Sequence, residues 1–107
     1  MTHAAQGDSP TESTIRTLLR STAAGDREAI SQLYDLLATE IYTVCARYLS
    51  ETAHRDDAML TIWRYIWTHA RMLGDGHSSA RERILRWAAA CSRDYEVATR
   101  ASVTLAS

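Results

Sequence analysis

The fold of this chain is decided by the stretch Ala23-Ala24-Gly25-Asp26-Arg27-Glu28-Ala29-Ile30-Ser31-Gln32-Leu33-Tyr34. Gly25 can adopt the left-handed backbone conformation that ends a helix, because glycine has no Cβ atom to clash with the chain. Asp26 can then accept hydrogen bonds from the backbone N–H groups that open the next helix. The stretch therefore predicts two helices that meet at a tight joint.

Apolar residues recur at helical spacing on both sides of this joint. Before it, Ser9-Pro10-Thr11-Glu12 has a capping-box layout, with Ser9 as the N-cap, which predicts a first helix from there to Ala24. The second helix is expected to run from Arg27 to about Leu49, with an apolar stripe wide enough to meet more than one neighbour. The two inner faces comprise Ile15, Leu18, Leu19, Thr22 and Ala23, and then Ile30, Leu33, Leu36, Leu37, Ile41, Val44, Cys45, Tyr48 and Leu49.

Two further amphipathic segments follow a connector at residues 50–52. A third helix is predicted over roughly Ala53 to Met72, and a loop with two flexible glycines is predicted at residues 74–78. Ser79-Ala80-Arg81-Glu82 again has the layout of a capping box, so it opens a fourth helix. The inner faces of these helices comprise Met59, Ile62, Trp63, Ile66, Ala70 and Leu73, and then Ile84, Ala88, Cys91, Tyr95 and Ala98.

Length and composition fit one small helical domain. The chain has 107 residues and is 46% hydrophobic, with four glycines and one proline, which suits an all-α fold. We predict a compact four-helix bundle over residues 9–100, a flexible tail at residues 1–8 and a frayed C-terminus at residues 101–107. The polar N-terminus lacks the apolar core of a signal peptide, and no apolar run reaches the roughly 20 residues that span a bilayer. A cytoplasmic protein without a membrane partner is therefore expected.

Charge and motif content limit the chemistry that the chain can carry. The net charge is −1, from 12 basic and 13 acidic residues, so any contact with DNA must depend on a local basic patch. The sequence has no glycine-rich phosphate loop, no nucleophile motif and no metal-ligand spacing. We expect neither an enzyme nor a bound metal or cofactor. Cys45 and Cys91 are interpreted as buried, reduced thiols.

Three segments, in the correct order, resemble the core helical domain (region 2) of bacterial extracytoplasmic-function sigma factors. That domain often begins Gly-Asp-x-x-Ala-(aromatic)-x-x-Leu-Tyr, which is similar to residues 25–34. Its third helix often reads Asp-Ala-Glu-Asp-x-x-Gln-Glu-x-Phe-x-x-x-Trp, and Asp57 and Trp67 coincide with this pattern over residues 54–67. Its fourth helix often starts Ser-Ala-Arg, as residues 79–81 do. The resemblance covers roughly residues 12–98 and implies a role in transcription initiation and its regulation.

The resemblance implies that the third helix binds RNA polymerase. In the family, this helix docks on the coiled coil of the polymerase β′ subunit. The matching candidates for partner binding in this chain are Asp56, Asp57, Leu60, Thr61 and Arg64. Leu60 and Thr61 stand where the family usually has Gln and Glu. This departure leaves a second interpretation open, a protein-interaction domain that binds an anti-sigma-like regulator or a second copy of itself, without recognising a promoter.

The resemblance also implies contact between the fourth helix and the promoter −10 element. The candidate residues for DNA binding are Arg81, Arg83, Arg86 and Arg93. Where the family often carries Arg-Asn-Arg, this chain has residues 89–91, Ala-Ala-Cys, which cannot pair with phosphates and base edges. We therefore expect DNA binding that is weak and sensitive to salt. A self-paired, solvated helix surface is the alternative. The family's C-terminal helix-turn-helix domain has no counterpart in the 107 residues.

Three expectations concern the third helix, and the last of them distinguishes these interpretations. Asp56 and Asp57 are expected to begin the helix, where acidic side chains complement its positive end. Trp63 and Trp67 are one turn apart and could stack on an unpaired base, although packing in the helical core is favoured. Joint exposure of Leu60 and Trp63 would favour a contact with a hydrophobic protein partner.

Overall fold

The computed structural model describes residues 11–76 and 78–106, with side chains as far as residue 102. Helices joined by short connections form this part of the chain. No strand occurs within this described part, so the all-α prediction is confirmed. The prediction of four helices is wrong, because the third predicted helix is broken in two. The helices are α1 (Glu12–Ala23), α2 (Arg27–Tyr48), α3 (Thr52–Thr68), α4 (Ala70–Asp75) and α5 (Ala80–Ala106).

The joint between α1 and α2 has the predicted geometry. Gly25 has a φ of 100°, in the left-handed region that side chains with a Cβ atom rarely adopt. Its N–H donates to the Thr22 carbonyl at 3.0 Å, which closes the end of α1. The Asp26 side chain accepts a hydrogen bond of 2.9 Å from the Glu28 N–H and caps α2. The local sequence signal is therefore sufficient to place this turn.

Two substitutions test the joint. We expect Asp26→Ala to lower the free energy of unfolding by about 1 kcal/mol, because α2 loses its N-cap. We expect Gly25→Val to cost about 1–2 kcal/mol, because a β-branched residue resists positive φ. Gly25→Asn is the matched control, since asparagine tolerates the left-handed region better. Urea unfolding measures all three, and an equal stability for Gly25→Val and Gly25→Asn would contradict a conformational cost at this position.

The start of α1 differs from the predicted capping box. The helix begins at Glu12, and the Thr11 hydroxyl caps it by accepting a hydrogen bond of 3.1 Å from the Thr14 N–H. Residues 1–8, Ser9 and Pro10 lie outside the described residues. The Glu12 carboxylate, which was expected to cap its own helix, instead contacts the N-terminus of α5. The capping-box pattern therefore identified the region where α1 begins, but Glu12 contacts α5 instead of the backbone of its own helix.

The third predicted helix breaks at His69. The hydroxyl of the preceding Thr68 donates to the Arg64 carbonyl at 2.8 Å, a back-bond that bends helices. His69 then leaves the helical region, with φ −110° and ψ 21°, and its ring stacks on Tyr65 with centroids 4.1 Å apart. The chain continues as α4, which packs against α1. Gly74, predicted to lie in a flexible loop, is therefore buried within a helix.

The last helix starts as predicted and ends later than predicted. The Ser79 hydroxyl accepts a hydrogen bond of 3.1 Å from the Glu82 N–H, which confirms Ser79 as an N-cap. The helix was expected to end near Arg100, but α5 continues to Ala106. The fraying of the C-terminus stays a prediction. His77 and Ser107 lie outside the described residues.

The core lies where α1, α2, α3 and α5 meet. Helix α1 packs mainly on α4 and α2, whereas α5 packs on α2 and α3. Cys45 is buried and Cys91 is partly buried, and both are free thiols. The outer side of the α2–α3 pair is not covered by α1, α4 or α5 and forms the groove described below. The large, fully buried side chains of the core are Ile15, Leu19, Leu33, Leu37, Ile41, Cys45, Ile62, Ile66 and Ile84.

Candidate protein-binding groove

An open groove of about 760 Å³ runs between α2 and α3. Aromatic and aliphatic side chains form most of its surface, and charged side chains stand at its rim. Grooves of this kind between helices accept the apolar face of a partner helix. The lining residues are Ile30, Ser31, Tyr34, Tyr42, Asp56, Met59, Leu60, Trp63, Arg64, Trp67 and Thr68.

Three large apolar side chains of the groove are exposed to solvent. The exposed fraction is 56% for Leu60, 51% for Trp67 and 47% for Tyr34. Single exposed apolar residues are common, but a continuous group along one groove is typical of an interaction site. Tyrosine and tryptophan are also enriched among the residues that dominate binding energy at protein interfaces. The groove thus has the composition of an interface centre.

Trp63 lies deeper, at the base of this exposed group. Its side chain is partly buried against the core, and the Tyr34 ring lies over it with centroids 5.1 Å apart. The Trp63 indole N–H is buried and finds no acceptor among the described residues. A buried donor without an acceptor carries a desolvation cost, which is offset here by the packing around the ring. Leu60 and Trp63 therefore face the same groove, with Leu60 the more exposed.

Three of the five predicted partner-binding residues lie in the groove. Asp56, Leu60 and Arg64 line it, at positions four residues apart along one side of α3. Asp57 and Thr61 do not line it. The Asp57 carboxylate instead accepts a hydrogen bond of 2.7 Å from the Tyr95 hydroxyl of α5. The groove thus lies on the side of α3 that faces α2, whereas Asp57 lies on the side that faces α5.

The contact with Asp57 also changes the chemistry of Tyr95. The hydrogen bond to the Asp57 carboxylate raises the pKa of Tyr95, because it favours the neutral phenol. Burial and the nearby negative charge act in the same direction. The Thr61 hydroxyl is turned back onto its own helix and donates to the Asp57 carbonyl at 3.2 Å. Asp57 and Thr61 therefore make contacts within the domain.

Two sequence-based expectations for α3 are wrong. The helix begins at Thr52, and its first turn contains no acidic residue, so Asp56 and Asp57 lie too far along to complement its positive end. Trp67 was expected in the core but is half exposed, because α3 ends just after it and α4 turns towards α1. The signal that could have identified Trp67 is its position in line with Leu60 and Arg64 on a helical wheel.

The arginines proposed for DNA contact have individual roles along α5. Arg81 forms a two-pronged ion pair with Glu40 of α2, which raises the pKa of Arg81, and its Nε donates to Glu40 Oε1 at 3.0 Å. Arg83 donates through Nη2 to the Leu73 carbonyl at 2.7 Å. Arg86 is exposed, and the Arg93 guanidinium lies 6.0 Å from the centroid of the Tyr48 ring. Contacts within the domain thus occupy Arg81 and Arg83.

A second, smaller cavity of about 430 Å³ brings three of these arginines together. Arg83, Arg86 and Arg93 line it. Tyr65 and Trp87, whose rings stack with centroids 4.1 Å apart, form its apolar wall. The sequence analysis named these arginines as candidates for DNA binding, but it missed the aromatic wall, because Tyr65 comes from α3. Since Arg83 is engaged with the Leu73 carbonyl, the exposed Arg86 and Arg93 beside the two aromatic rings are the cations that suit an anionic or unpaired nucleic-acid segment chemically.

Comparisons with known protein families, with curated proteins and with solved structures find no match to this chain. Within residues 11–76 and 78–106, no helix has both the length and the apolar composition that crossing a bilayer requires. The same part of the chain contains no group of three or more His, Cys, Asp or Glu side chains arranged to hold a metal ion. The groove between α2 and α3 is the candidate functional site.

Proposed function

We propose that this domain is a sigma-factor-like transcription module that binds RNA polymerase core through the groove between α2 and α3. The observation that supports this proposal is the exposed group of Tyr34, Leu60 and Trp67 in one open groove. A helix of the polymerase β′ coiled coil is the proposed occupant, in line with the resemblance in sequence. Its apolar side chains would cover the exposed group, while Asp56 and Arg64 at the rim would meet charges of opposite sign.

A second candidate function uses the same groove. Leu60, which replaces a residue that is usually polar in the family, is 56% exposed, although Trp63 beside it is partly buried rather than exposed with it. This favours a more hydrophobic partner, such as an anti-sigma-like regulatory protein, for which no promoter contact is needed. Contact with promoter −10 DNA remains part of the first proposal only as a weak interaction, because Arg81 and Arg83 are already engaged within the domain.

The test is capture of purified bacterial RNA polymerase core by the domain, with Leu60→Asp as the main variant. We expect this variant to raise the dissociation constant about tenfold or more, because a charge would enter the centre of the apolar contact. Val97→Asp is the matched control, since Val97 is 60% exposed but lies on α5, away from the groove. Its binding should equal that of the wild type.

The outcomes separate the two candidates. Equal capture by wild type and a folded Leu60→Asp variant would contradict the groove as the binding surface. Loss of capture by both Leu60→Asp and Val97→Asp would show that the change in net charge, rather than the change in the groove, weakens binding. If wild type captures no polymerase at all, the transcription module is rejected in favour of the regulatory-protein partner.

A further inference from the structure

One row of exposed residues on α3 has a symmetric arrangement. The row consists of Ala53, Asp56, Leu60, Arg64 and Trp67, and we call it the α3 row. All five residues are exposed, and successive members are separated by three, four, four and three positions. Steps of three and four keep side chains on one side of a helix, as in the seam of a coiled coil. The spacing reads the same in both directions from Leu60.

The charges of the α3 row match this symmetry. Asp56 lies four residues before Leu60 and Arg64 four residues after it, so each is about 6 Å from Leu60 along the helix axis. Among the described residues, neither Asp56 nor Arg64 takes part in an ion pair, although Glu12, Glu40 and several other charged side chains do. Opposite charges at equal distances from a central apolar residue make the surface complementary to itself.

We infer that two copies of this chain associate through the α3 row, with their α3 helices antiparallel and a two-fold axis passing by Leu60. In that arrangement Asp56 of each copy faces Arg64 of the other, and the two Leu60 side chains meet at the centre. The large Trp67 faces the small Ala53, so both ends of the contact combine a large side chain with a small one. The interface is isologous, as most homodimer interfaces are.

The flanking helix supports this arrangement. Tyr34 of α2 is 47% exposed beside the row, and it forms the opposite wall of the groove from Leu60. The α3 helix of a second copy would therefore contact both α3 and α2, and it would cover the exposed apolar group. An unrelated partner would have no need for the two charges to be equidistant from Leu60, whereas a second copy requires it.

The dimer has a consequence for the groove that rests on the proposed function. A second copy covers Leu60 and Trp67, which are the residues proposed to contact RNA polymerase. Self-association and polymerase binding would therefore exclude each other, and the dimer would be a store of inactive domain that releases active monomer on dilution. The dimer itself does not depend on that proposal.

The dimer is tested by reversing the charges of Asp56 and Arg64 and by mixing the two variants. The measurement is sedimentation equilibrium of the full chain at low ionic strength, where exposed charges are least screened. The wild type should show a concentration-dependent monomer–dimer equilibrium. Asp56→Arg and Arg64→Asp should each raise the dimer dissociation constant about tenfold or more, because two attractive pairs become two repulsive ones. An equimolar mixture of the two variants should restore association, since the two arginines of one variant then face the two aspartates of the other.

Two further chains complete the experiment. The double variant Asp56→Arg/Arg64→Asp should dimerise as the wild type does, because both pairs are restored with reversed sign. Asp94→Arg, an exposed reversal on α5, should leave the equilibrium unchanged. A monomeric wild type at every concentration, or a mixture that associates no better than the single variants, would overturn the inference. Neither result depends on polymerase capture, so failure of the dimer and failure of the proposed function are separable.

Discussion

Replacing Arg16 with methionine is expected to lower the free energy of unfolding by about 3 kcal/mol, because hydrogen bonds to a charged group contribute roughly 1.5–3 kcal/mol each and several are lost together. Arg16 Nη1 donates to the Gly74 carbonyl at 3.0 Å and to the Gly76 carbonyl, and Nη2 donates to the Ser78 carbonyl at 2.6 Å. Its Nε lies 2.9 Å from the Glu12 carboxylate. Methionine keeps the length of the side chain but can make none of these contacts.

Thermal unfolding measures this effect, and for a domain of this size the midpoint should fall by about 10–20 °C. Arg20→Met is the matched control. Arg20 lies on the same helix, one turn later, and within residues 11–76 and 78–106 its side chain makes one ion pair, 3.7 Å from Asp75, with both side chains largely exposed. Exposed pairs contribute roughly 0–1 kcal/mol, so this variant should unfold near the wild-type temperature. Equal midpoints for Arg16→Met and Arg20→Met would show that the connection from α4 to α5 does not depend on Arg16.

Glu12→Gln is expected to destabilise the fold at neutral pH and to lose this effect in acid. Burial acts to raise the pKa of Glu12, but hydrogen bonds from the Ala80 and Arg81 N–H groups and the Ser79 hydroxyl, together with the Arg16 charge, outweigh it and lower the pKa below its ordinary value of 4.5. Glutamine removes the negative charge from the N-terminus of α5. Since the Glu12 side chain is 36% exposed, solvent screens the contact, and we expect a loss of about 1–2 kcal/mol.

The pH dependence follows from the lowered pKa. The Glu12 carboxylate binds a proton less readily in the folded state than in the unfolded chain. Its contribution to the free energy of unfolding is therefore complete above about pH 4.5 and is lost as the pH falls through the folded pKa. Urea unfolding at pH 6 and at lower pH should therefore show a gap between wild type and Glu12→Gln that narrows in acid. Glu28→Gln, an exposed change in the first turn of α2, is the control. If the difference in free energy of unfolding between wild type and Glu12→Gln stayed constant with pH, the effect would come from the changed shape of the side chain rather than from its charge.

The candidate site could be predicted in part, because its central residues belong to one helix. Asp56, Leu60 and Arg64 were predicted from the family resemblance of the α3 sequence, and four-residue spacing places them on one side of any helix. The opposite wall, with Tyr34, comes from α2, and no rule of local sequence says which side of α3 packs against α2. Trp67 was assigned to the core because an aromatic residue in a helical stripe is usually buried. Its exposure follows from its place on the same side of α3 as Leu60 and Arg64, which α1, α4 and α5 leave uncovered.

Local sequence determined the main spans of α1 and α2 and the joint at Gly25 and Asp26. A glycine that tolerates positive φ and an aspartate that caps act through their immediate neighbours, so the same geometry forms whatever packs around it. The stripe of Leu33, Leu37 and Ile41 likewise depends only on the helical repeat, and all three side chains are fully buried.

Only the tertiary structure decided which partners the polar side chains would take. Glu12 has the sequence position of a local helix cap, yet it binds the Ala80 N–H at 2.6 Å, across 68 residues. Gly74 looks like a loop residue but lies in α4, where a Cβ atom would be 3.2 Å from Leu19 Cβ. The Glu12 carboxylate could accept a hydrogen bond from an N–H group of its own helix or from a distant one. Gly74 could equally lie in a turn or at a close contact between helices. The choice is made by the packing of α1 on α4 and α5, which involves residues far apart in the chain.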